Sequence, residues 1–411
     1  MAVNKLDITM MEDVGTSASQ LLQRDGSGNL PAVDGSQVIG LSEFTTSASD
    51  PVVTTNPSGG VGTLWYNKTS GEMYVCTDAT AGANICTNVG AGSGNVAPFS
   101  YQGSTAGFIV GGYSGATARL ASIDEVSFAS DGNATDAGDL ATGNPGRSHS
   151  ANTSSVTHLF SSGGYGPGSY TPNTTDNIES FSFASKGTMV NVGDLVHHIR
   201  GQAGTGNADY GFVHGGHRAA SDPSGGAATY NVIWRYAHVS SGNATDWGDL
   251  LAAADNAGAN SDPANSYGYC ASGSATNVIQ RFAMSSSGNS VDWADLTTSY
   301  YGPASSSTAT HGYRSGNSYS APHTKTIEKY PFATQTNATD IGDLIQPYHQ
   351  ASGVSSTTHG YSAGGYWNGS SPAGAGVTNI DKYSFTTDGN SADVGDLTAN
   401  RTTLCSVGGQ Y

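Results

Sequence analysis

Charge is scarce in this chain. Only 11% of its 411 residues are charged, and 15 Lys and Arg stand against 32 Asp and Glu, for a net charge of −17. The basic residues form no run, which excludes nucleic acid as a partner, because phosphate binding needs clustered Lys and Arg. Long apolar runs are missing too, so membrane insertion is not expected. The opening "MAVNKLDITMMEDVG" lacks the apolar stretch of a secretory signal, and synthesis in a cytoplasm is the expectation. Four cysteines, Cys76, Cys86, Cys270 and Cys405, are too few for a disulfide scaffold. Cys76 and Cys86 can face each other across a hairpin, with reduced thiols as the expected state. Neither C-x-x-C nor H-x₃-H spacing occurs, so a structural zinc site has no support and no cofactor is expected. Lys and Glu are sparse while Gly (57 residues), Ser, Thr and Asn abound, which excludes a mainly helical fold.

What the chain does have is aromatic residues (21 Tyr, 11 Phe, 5 Trp) and a repeat. The phrase "SSGNATDWGDL" returns as "SDGNATDAGDL", "SKGTMVNVGDL", "SSGNSVDWADL", "TQTNATDIGDL" and "TDGNSADVGDL". The repeated Asp falls at Asp139, Asp194, Asp249, Asp295, Asp343 and Asp396, giving intervals of 55, 55, 46, 48 and 53 residues. Sixteen residues before each stands an Ile: Ile123, Ile178, Ile233, Ile279, Ile327 and Ile380. Bulky residues follow three and five positions later, as in Val126/Phe128 and Tyr383/Phe385, the alternation of a strand with one buried face. A Gly/Asn/Asp/Ser turn and a short Leu-ended segment complete a hairpin of constant length. Upstream lies another strand, closing on a double glycine at Gly111–Gly112, Gly163–Gly164, Gly215–Gly216 and Gly364–Gly365. Arg147, Arg200 and Arg401 follow three of the Asp positions at similar distances.

The unit therefore reads Arg, strand A, turn, strand B, Gly-Gly, loop, strand C, turn, strand D. In the Arg, the double glycine and the aromatic of the third strand it resembles the kelch repeat, over roughly residues 97–411. The fourth and fifth repeats lack the double glycine ("YCASGS", "YRSGNS"), and the strand D Trp is present only as Trp247 and Trp293. Six units of four strands imply an all-β, six-bladed β-propeller over residues 96–411. Because a lone blade cannot bury its faces, the ring must close. The tail "TANRTTLCSVGGQY" predicts that Thr402–Val407 is the inner strand of the first blade, with "FSYQG" (99–103) competing for that place.

Antiparallel order puts the D–A and B–C connections on one face. From the double-glycine position to the Ile, the B–C connection varies from five to sixteen residues, whereas the C–D hairpin is constant. Length variation gathered on one face marks a recognition surface. Its candidate binding residues are Tyr113, Tyr165, Tyr170, His217, Tyr230, Tyr319, Tyr366 and Trp367, set among Gly, Ser, Asn and Pro. Rings on small polar loops offer contact area at low entropic cost and stack on sugar faces. The plainer reading is that each Tyr packs under its own loop.

The carboxylates of Asp136, Asp246, Asp292, Asp340 and Asp393 could hold calcium with nearby Asn and Thr oxygens. Capping of turn amides is the stronger reading, and no metal is expected. The N-x-T sequons at Asn133, Asn243 and Asn337 belong to the same turns. For catalysis, His149, His197, His198 and His349 sit at D–A connections, but no G-x-S-x-G nucleophile setting accompanies them. The S-x-D-x-G-x-T-W box of sialidase-type propellers is not reproduced. Cys270 beside Tyr269 is the sole suggestion of a copper-radical Cys–Tyr pair. The expectation is a protein that is not an enzyme.

Residues 61–93 read as a three-stranded meander ("TLWYN", "EMYVCTD", "ICTNV"), followed by the linker "GAGSGN". Together with "LLQRDGSGNLPAVDGS", the phrases "GTLWYN" and "SGEMYVCTDAT" resemble the leading parts of fibre and appendage proteins of tailed bacteriophages. That resemblance covers about a quarter of the chain. It implies an extended attachment segment (1–50), a small β-meander module with its linker (51–95), and a distal propeller on a virion structural protein. The expected partners are other virion proteins through the N-terminal segment and a host-surface glycan on the propeller, with a homo-oligomer such as a trimer allowed. Capsid decoration or head-fibre duty, and a secreted bacterial propeller lectin or glycosidase, are the alternative readings.

Overall fold

The computed structural model describes residues 44–89, 99–114, 118–141, 146–166, 174–218, 226–274, 276–299, 301–316, 324–367, 376–402 and 409–410. Two compact units result, Met1–Pro98 and Phe99–Tyr411, and the described residues contain no helix.

In the first unit, Leu64–Asn67, Met73–Asp78 and Ile85–Asn88 form the expected antiparallel meander. A fourth strand, Phe44–Ser47, joins Leu64–Asn67 in parallel, so the sheet begins before residue 51. Hydrogen bonding recruits it: Trp65 Nε1 donates to Ser49 O, and Asn67 Nδ2 to Asp50 Oδ1. Cys76 and Cys86 are directly opposed, buried beside Tyr74, as free thiols. The attachment segment and linker expected from the sequence lie outside the described residues, apart from 44–50 and the module's own strands.

In Phe99–Tyr411, four-stranded antiparallel sheets dominate, and the architecture is propeller-like. The first holds Gly409–Gln410, Ala106–Val110, Ser122–Ser127 and Thr135–Asp139, with Gly187–Thr188 added in parallel at its outer edge. The second holds Ala151–Ser154, His158–Tyr165, Thr174–Ser182 and Val190–Ile199. The third runs Ala203–Gly206, Tyr210–His214, Val232–Ala237, Thr245–Asp249. The fourth runs Gly258–Asp262, Tyr267–Ala271, Val278–Ala283, Val291–Asp295. Ala304–Ser307, His311–Ser315, Thr326–Pro331 and Thr339–Asp343 make the fifth. The sixth comprises Ser352–Ser355, His359–Ala363, Val377–Ser384 and Ala392–Arg401.

The constant Ile-to-Asp spacing has a direct cause. Each Ile pairs with the residue before the Asp (Ile123↔Gly138, Ile178↔Gly193, Ile233↔Gly248, Ile279↔Ala294, Ile327↔Gly342, Ile380↔Gly395), and a bulge follows every time. All six Ile side chains are fully buried, as are the Leu residues after the Asp positions. Burial of one face specifies this register, since a one-residue slip would turn every Ile outward.

Neighbouring sheets are fastened at three depths. At the inner edge, strand A residues at one level are Ser154, Gly206, Ser261, Ser307, Ser355 and Gln410. The amide of Gly206 donates to Ser261 Oγ (3.0 Å), Ser261 to Ser307 Oγ (3.2 Å), and Ser307 to Ser355 Oγ (2.8 Å). Ser355 continues to Gln410 Oε1 (3.3 Å), and Gln410 to Ser154 Oγ (3.2 Å). The step from Ser154 to the third sheet meets glycine, which has no side chain to accept. These strands must be small-residue strands: a Cβ on Gly353 would lie 2.0 Å from Ser305 O, and one on Gly204 2.3 Å from Asn152 O.

At mid-depth, the residue after Ile is a buried acceptor for the preceding sheet in five of the six repeats. Ala141 N–H reaches Glu179 Oε2 (3.1 Å), Leu251 N–H reaches Gln280 Oε1 (2.7 Å), and Ile345 N–H reaches Asp381 Oδ2 (2.9 Å). Thr297 Oγ1 bonds Glu328, and Thr398 N–H reaches Asp124 Oδ2 (2.7 Å), from the sixth sheet to the first. At the rim, the repeated "GNATD" turn docks on the previous sheet. The amides of Met189, Ala244, Ser290, Ala338, Ser391 and Ala134 donate to the carbonyls of Asp139, Asp194, Asp249, Asp295, Asp343 and Asp396. Asn243, Asn289, Asn337, Asn390 and Asn133 accept the amides of Asp194, Asp249, Asp295, Asp343 and Asp396 at 3.0–3.1 Å. Gly138, Gly193, Gly248, Gly342 and Gly395 are glycine because a Cβ there would fall 1.9–2.3 Å from the docked turn's carbonyl oxygen.

The terminal strand departs from expectation. The strand beside Ala106–Val110 is Gly409–Gln410, not Thr402–Val407; Thr402 instead bridges Tyr113, and 403–408 lie outside the described residues. Gln410 stands where Ser154 stands in the second sheet, nine residues beyond its buried Arg against seven, so the longer connection delays the strand. "FSYQG" lies alongside it: Gly103 bridges Ser356, and Gln410 Nε2 bonds Tyr101 O.

Gly206→Ser should extend the inner hydrogen-bond series. A Cβ at this position would meet Tyr210 O at 3.3 Å and otherwise only ordinary contacts, and the backbone there is not left-handed. One added hydrogen bond and the loss of glycine's unfolded-state freedom are worth about 1 kcal/mol together. Urea denaturation should show a higher midpoint with an unchanged slope.

Candidate functional site

The D–A connections pass one main-chain hydrogen bond from each to the next. Gln350 N–H donates to Gly302 O (2.6 Å), Gly302 to Asn256 O (2.8 Å), Asn256 to Gly201 O (2.7 Å), and Gly201 to His149 O (2.9 Å). To present a donor one way and an acceptor the other, these residues take left-handed φ of 60°, 69°, 53°, 69° and 64°. Three of the five are not glycine, and such strain costs on the order of 1 kcal/mol or more each. Gln350, Asn256 and His149 thus occupy one position in their connections.

The double glycines dock on the chain just before these residues or on its closing counterpart. Gly112 N–H donates to Arg147 O (2.8 Å), Gly216 to Ala254 O (2.7 Å), and Gly365 to Arg401 O (2.8 Å). Gly111, Gly163, Gly215 and Gly364 have φ of 58–68°, and Gly112, Gly164, Gly216 and Gly365 have φ of 98–120°. Ser272 at the first position of the fourth repeat bears the same strain, φ 65°. The residue after each pair then bridges a D–A connection: Tyr113 to Thr402, Tyr165 to Ser148, His217 to Arg200, Tyr366 to His349. Four of the sequence-derived candidates are therefore one structural position on one face. Tyr230 stacks on His197, 5.0 Å between centroids, with Trp234 edge-on. Trp367 packs against the cluster of Tyr313, Tyr348 and Tyr383. Tyr170 and Tyr319 lie outside the described residues.

The three similarly spaced arginines separate. Arg147 and Arg401 are fully buried: Arg147 Nη2 lies 3.5 Å from Glu179 and donates to Ser161 O, while Arg401 Nη2 lies 2.6 Å from Asp124. Arg200 sits one residue further on, at the level of Ser148, half-buried among the surface aromatics. Its guanidinium lies 4.7 Å from the Tyr165 ring centroid. Arg119, which sequence reasoning missed, lies 4.7 Å from the same centroid and 4.3 Å from that of Tyr113, and its Nε donates to Tyr165 O. Burial, then Arg200 and Arg119, hold His149 well below the usual histidine range. Asp255, bonded by Tyr301 Oη at 3.3 Å, is pushed up to about 6 by burial, against the pull of Arg200.

The repeated Asp side chains behave as turn caps. Asp136, Asp246, Asp340 and Asp393 accept the amides of Gly138, Gly248, Gly342 and Gly395 at 3.0–3.2 Å. The described residues contain no group of three side chains suited to a metal ion. Tyr269 and Cys270, as consecutive strand residues, pack into different clusters and do not form a pair. The chain matches no family model and no curated protein.

Proposed function

We propose that residues 99–411 are a closed, six-bladed, kelch-like β-propeller on a virion structural protein of a tailed phage, a tail fibre or appendage. Its D–A/B–C face binds a host-surface glycan without catalysis. Closure is supported by the bonds from the sixth sheet to the first at mid-depth and rim, through Asp124, Asn133 and Ala134. The observation that carries recognition is the shared position of Tyr113, Tyr165, His217 and Tyr366, from which the length-variable connections start. The leading phrases, "LLQRDGSGNLPAVDGS" and "GTLWYN", carry the virion assignment.

Glycan-array and host-cell binding by the full chain test this reading. Tyr165→Ala, which removes the ring shared by two arginines, should lower binding at least tenfold while Tyr361→Phe, distant in the sixth sheet's core, leaves it intact. Absence of binding by folded wild-type protein would overturn the glycan reading. Labelling of the intact particle should decorate the tail; label on the capsid would overturn the tail assignment.

A further inference from the structure

We propose that Arg119 and Arg200, with Tyr113 and Tyr165 around them, form a site for the carboxylate of an acidic sugar unit. The inference rests on the glycan reading above and specifies its ligand.

Two guanidiniums each lie 4.7 Å from the centroid of Tyr165, so they are at most twice that distance apart. Burial disfavours the charged form of Arg119, Tyr113 and Tyr165 favour it, and the charge of Arg200 adds a smaller opposing effect. Acids outnumber bases two to one in this chain, so a carboxylate partner was easily available. Six other basic side chains have such partners, Arg147, Arg401, Lys186, Lys325, Lys329 and Lys382, whereas Arg235 and Arg281 lie, as Arg119 does, over pairs of aromatic rings. Among the described residues, no carboxylate lies within ion-pair distance of Arg119 or Arg200. Two cations beside tyrosine rings, with no carboxylate in ion-pair contact, are complementary to an anion from outside.

The local charge selects which anion. His149 is neutral, so it adds nothing at pH 7. Asp255, ionised above about 6, offsets one of the two arginines and leaves one net positive charge. That balance suits a monoanion, and the planar fork of a guanidinium matches a carboxylate in two parallel hydrogen bonds. A phosphate monoester, close to a dianion at pH 7, exceeds that single positive charge; a sulfate ester carries the same charge as a carboxylate, and the sulfated galactan below separates the two. The tyrosine rings supply the apolar edge against which a pyranose can rest.

The test uses the full chain and three immobilised oligosaccharides: oligogalacturonate, its methyl ester, and a sulfated galactan. Oligogalacturonate should bind, and the methyl ester should bind at least tenfold more weakly. Arg200→Gln should reduce oligogalacturonate binding at least tenfold with an unchanged melting temperature, and Arg200→Lys should recover only part of it. Arg119→Gln, whose Nε bond to Tyr165 is lost, serves as a second variant. Equal binding of acid and ester, unaffected by either variant, would overturn this inference and leave glycan recognition standing. Preference for the sulfated galactan would overturn the carboxylate assignment. Binding to none of the three, with other glycans captured on the array, would also overturn it; capture of no glycan at all would remove both readings.

Discussion

Arg401→Met should destabilise the protein by about 3–5 kcal/mol, the cost of leaving a buried charge without its partner. Arg401 and Asp124 have no exposed side-chain surface, and the pair spans the sixth and first sheets, 277 residues apart in sequence. Arg401 also donates to Gly111 O at 3.0 Å, so the substitution orphans a carbonyl as well as a carboxylate. Asp124 keeps the amide and hydroxyl of Thr398, which makes a second substitution informative. Adding Asp124→Asn removes the charge but keeps an acceptor for Thr398. The double variant should therefore be more stable than Arg401→Met alone at pH 7, by roughly 1–3 kcal/mol. Urea unfolding of the three proteins measures this directly, and a double variant no better than the single would show that the charge is not what the arginine compensates. The junction of the second and third sheets shows that an apolar solution exists: Ile199 and Trp234 occupy the positions of Arg401 and Asp124 and pack in one cluster.

The parts of this architecture that repeat were the parts legible in the sequence. Ile123 and its five counterparts announced themselves by constant spacing, because the hairpin between Ile and Asp has one register and one length. The same alignment held a second signal one residue further along. Asp124, Glu179, Gln280, Glu328 and Asp381 follow the Ile in five repeats, and every one is buried as an acceptor for its neighbour. Acidic side chains beside a buried Ile read as solvent-facing under strand alternation, and the bulge at that point is what turns them inward. Arg119 was illegible for a different reason: it lies in a connection without repeat register, and only the chain's course brings it beside Tyr165 and Arg200. Arg200 and Arg147 stand at similar distances from their Asp, yet the second sheet's long strand Val190–Ile199 runs up to Arg200 and puts Ile199 in the buried place. The short strand Phe44–Ser47 had no alternation of its own and is held by its bonds to Trp65 and Asn67.

Asp381→Asn should change how stability depends on pH. In the sixth sheet the place of Arg147 and Arg401 is taken by Tyr348, which is buried but carries no positive charge, so Asp381 is a buried carboxylate without a cation. Burial raises it to about 6 from an ordinary 3.8, opposed by the amide of Ile345 and the hydroxyl of Ser391. A carboxyl whose folded value is raised binds its proton more tightly in the native state. Its contribution to stability is therefore complete below about pH 4 and is lost as pH rises through 6. Two units correspond to roughly 2–3 kcal/mol between pH 4 and pH 7. Asparagine can keep an oxygen toward Ile345 and Ser391 and has nothing to ionise, so the stability difference between variant and wild type should move in the variant's favour by about that amount over this interval. Asp255, also near 6, titrates in the same direction, while His149, His214 and His238, all lowered by burial, titrate in the opposite one; all four remain in the variant, so the difference between the two proteins isolates Asp381. Unfolding free energies at pH 4, 5, 6 and 7 for both proteins test the sign: a difference that stays constant, or favours wild type as pH rises, would mean that Asp381 remains ionised in the folded state throughout and is held by a positive field that the burial argument does not include.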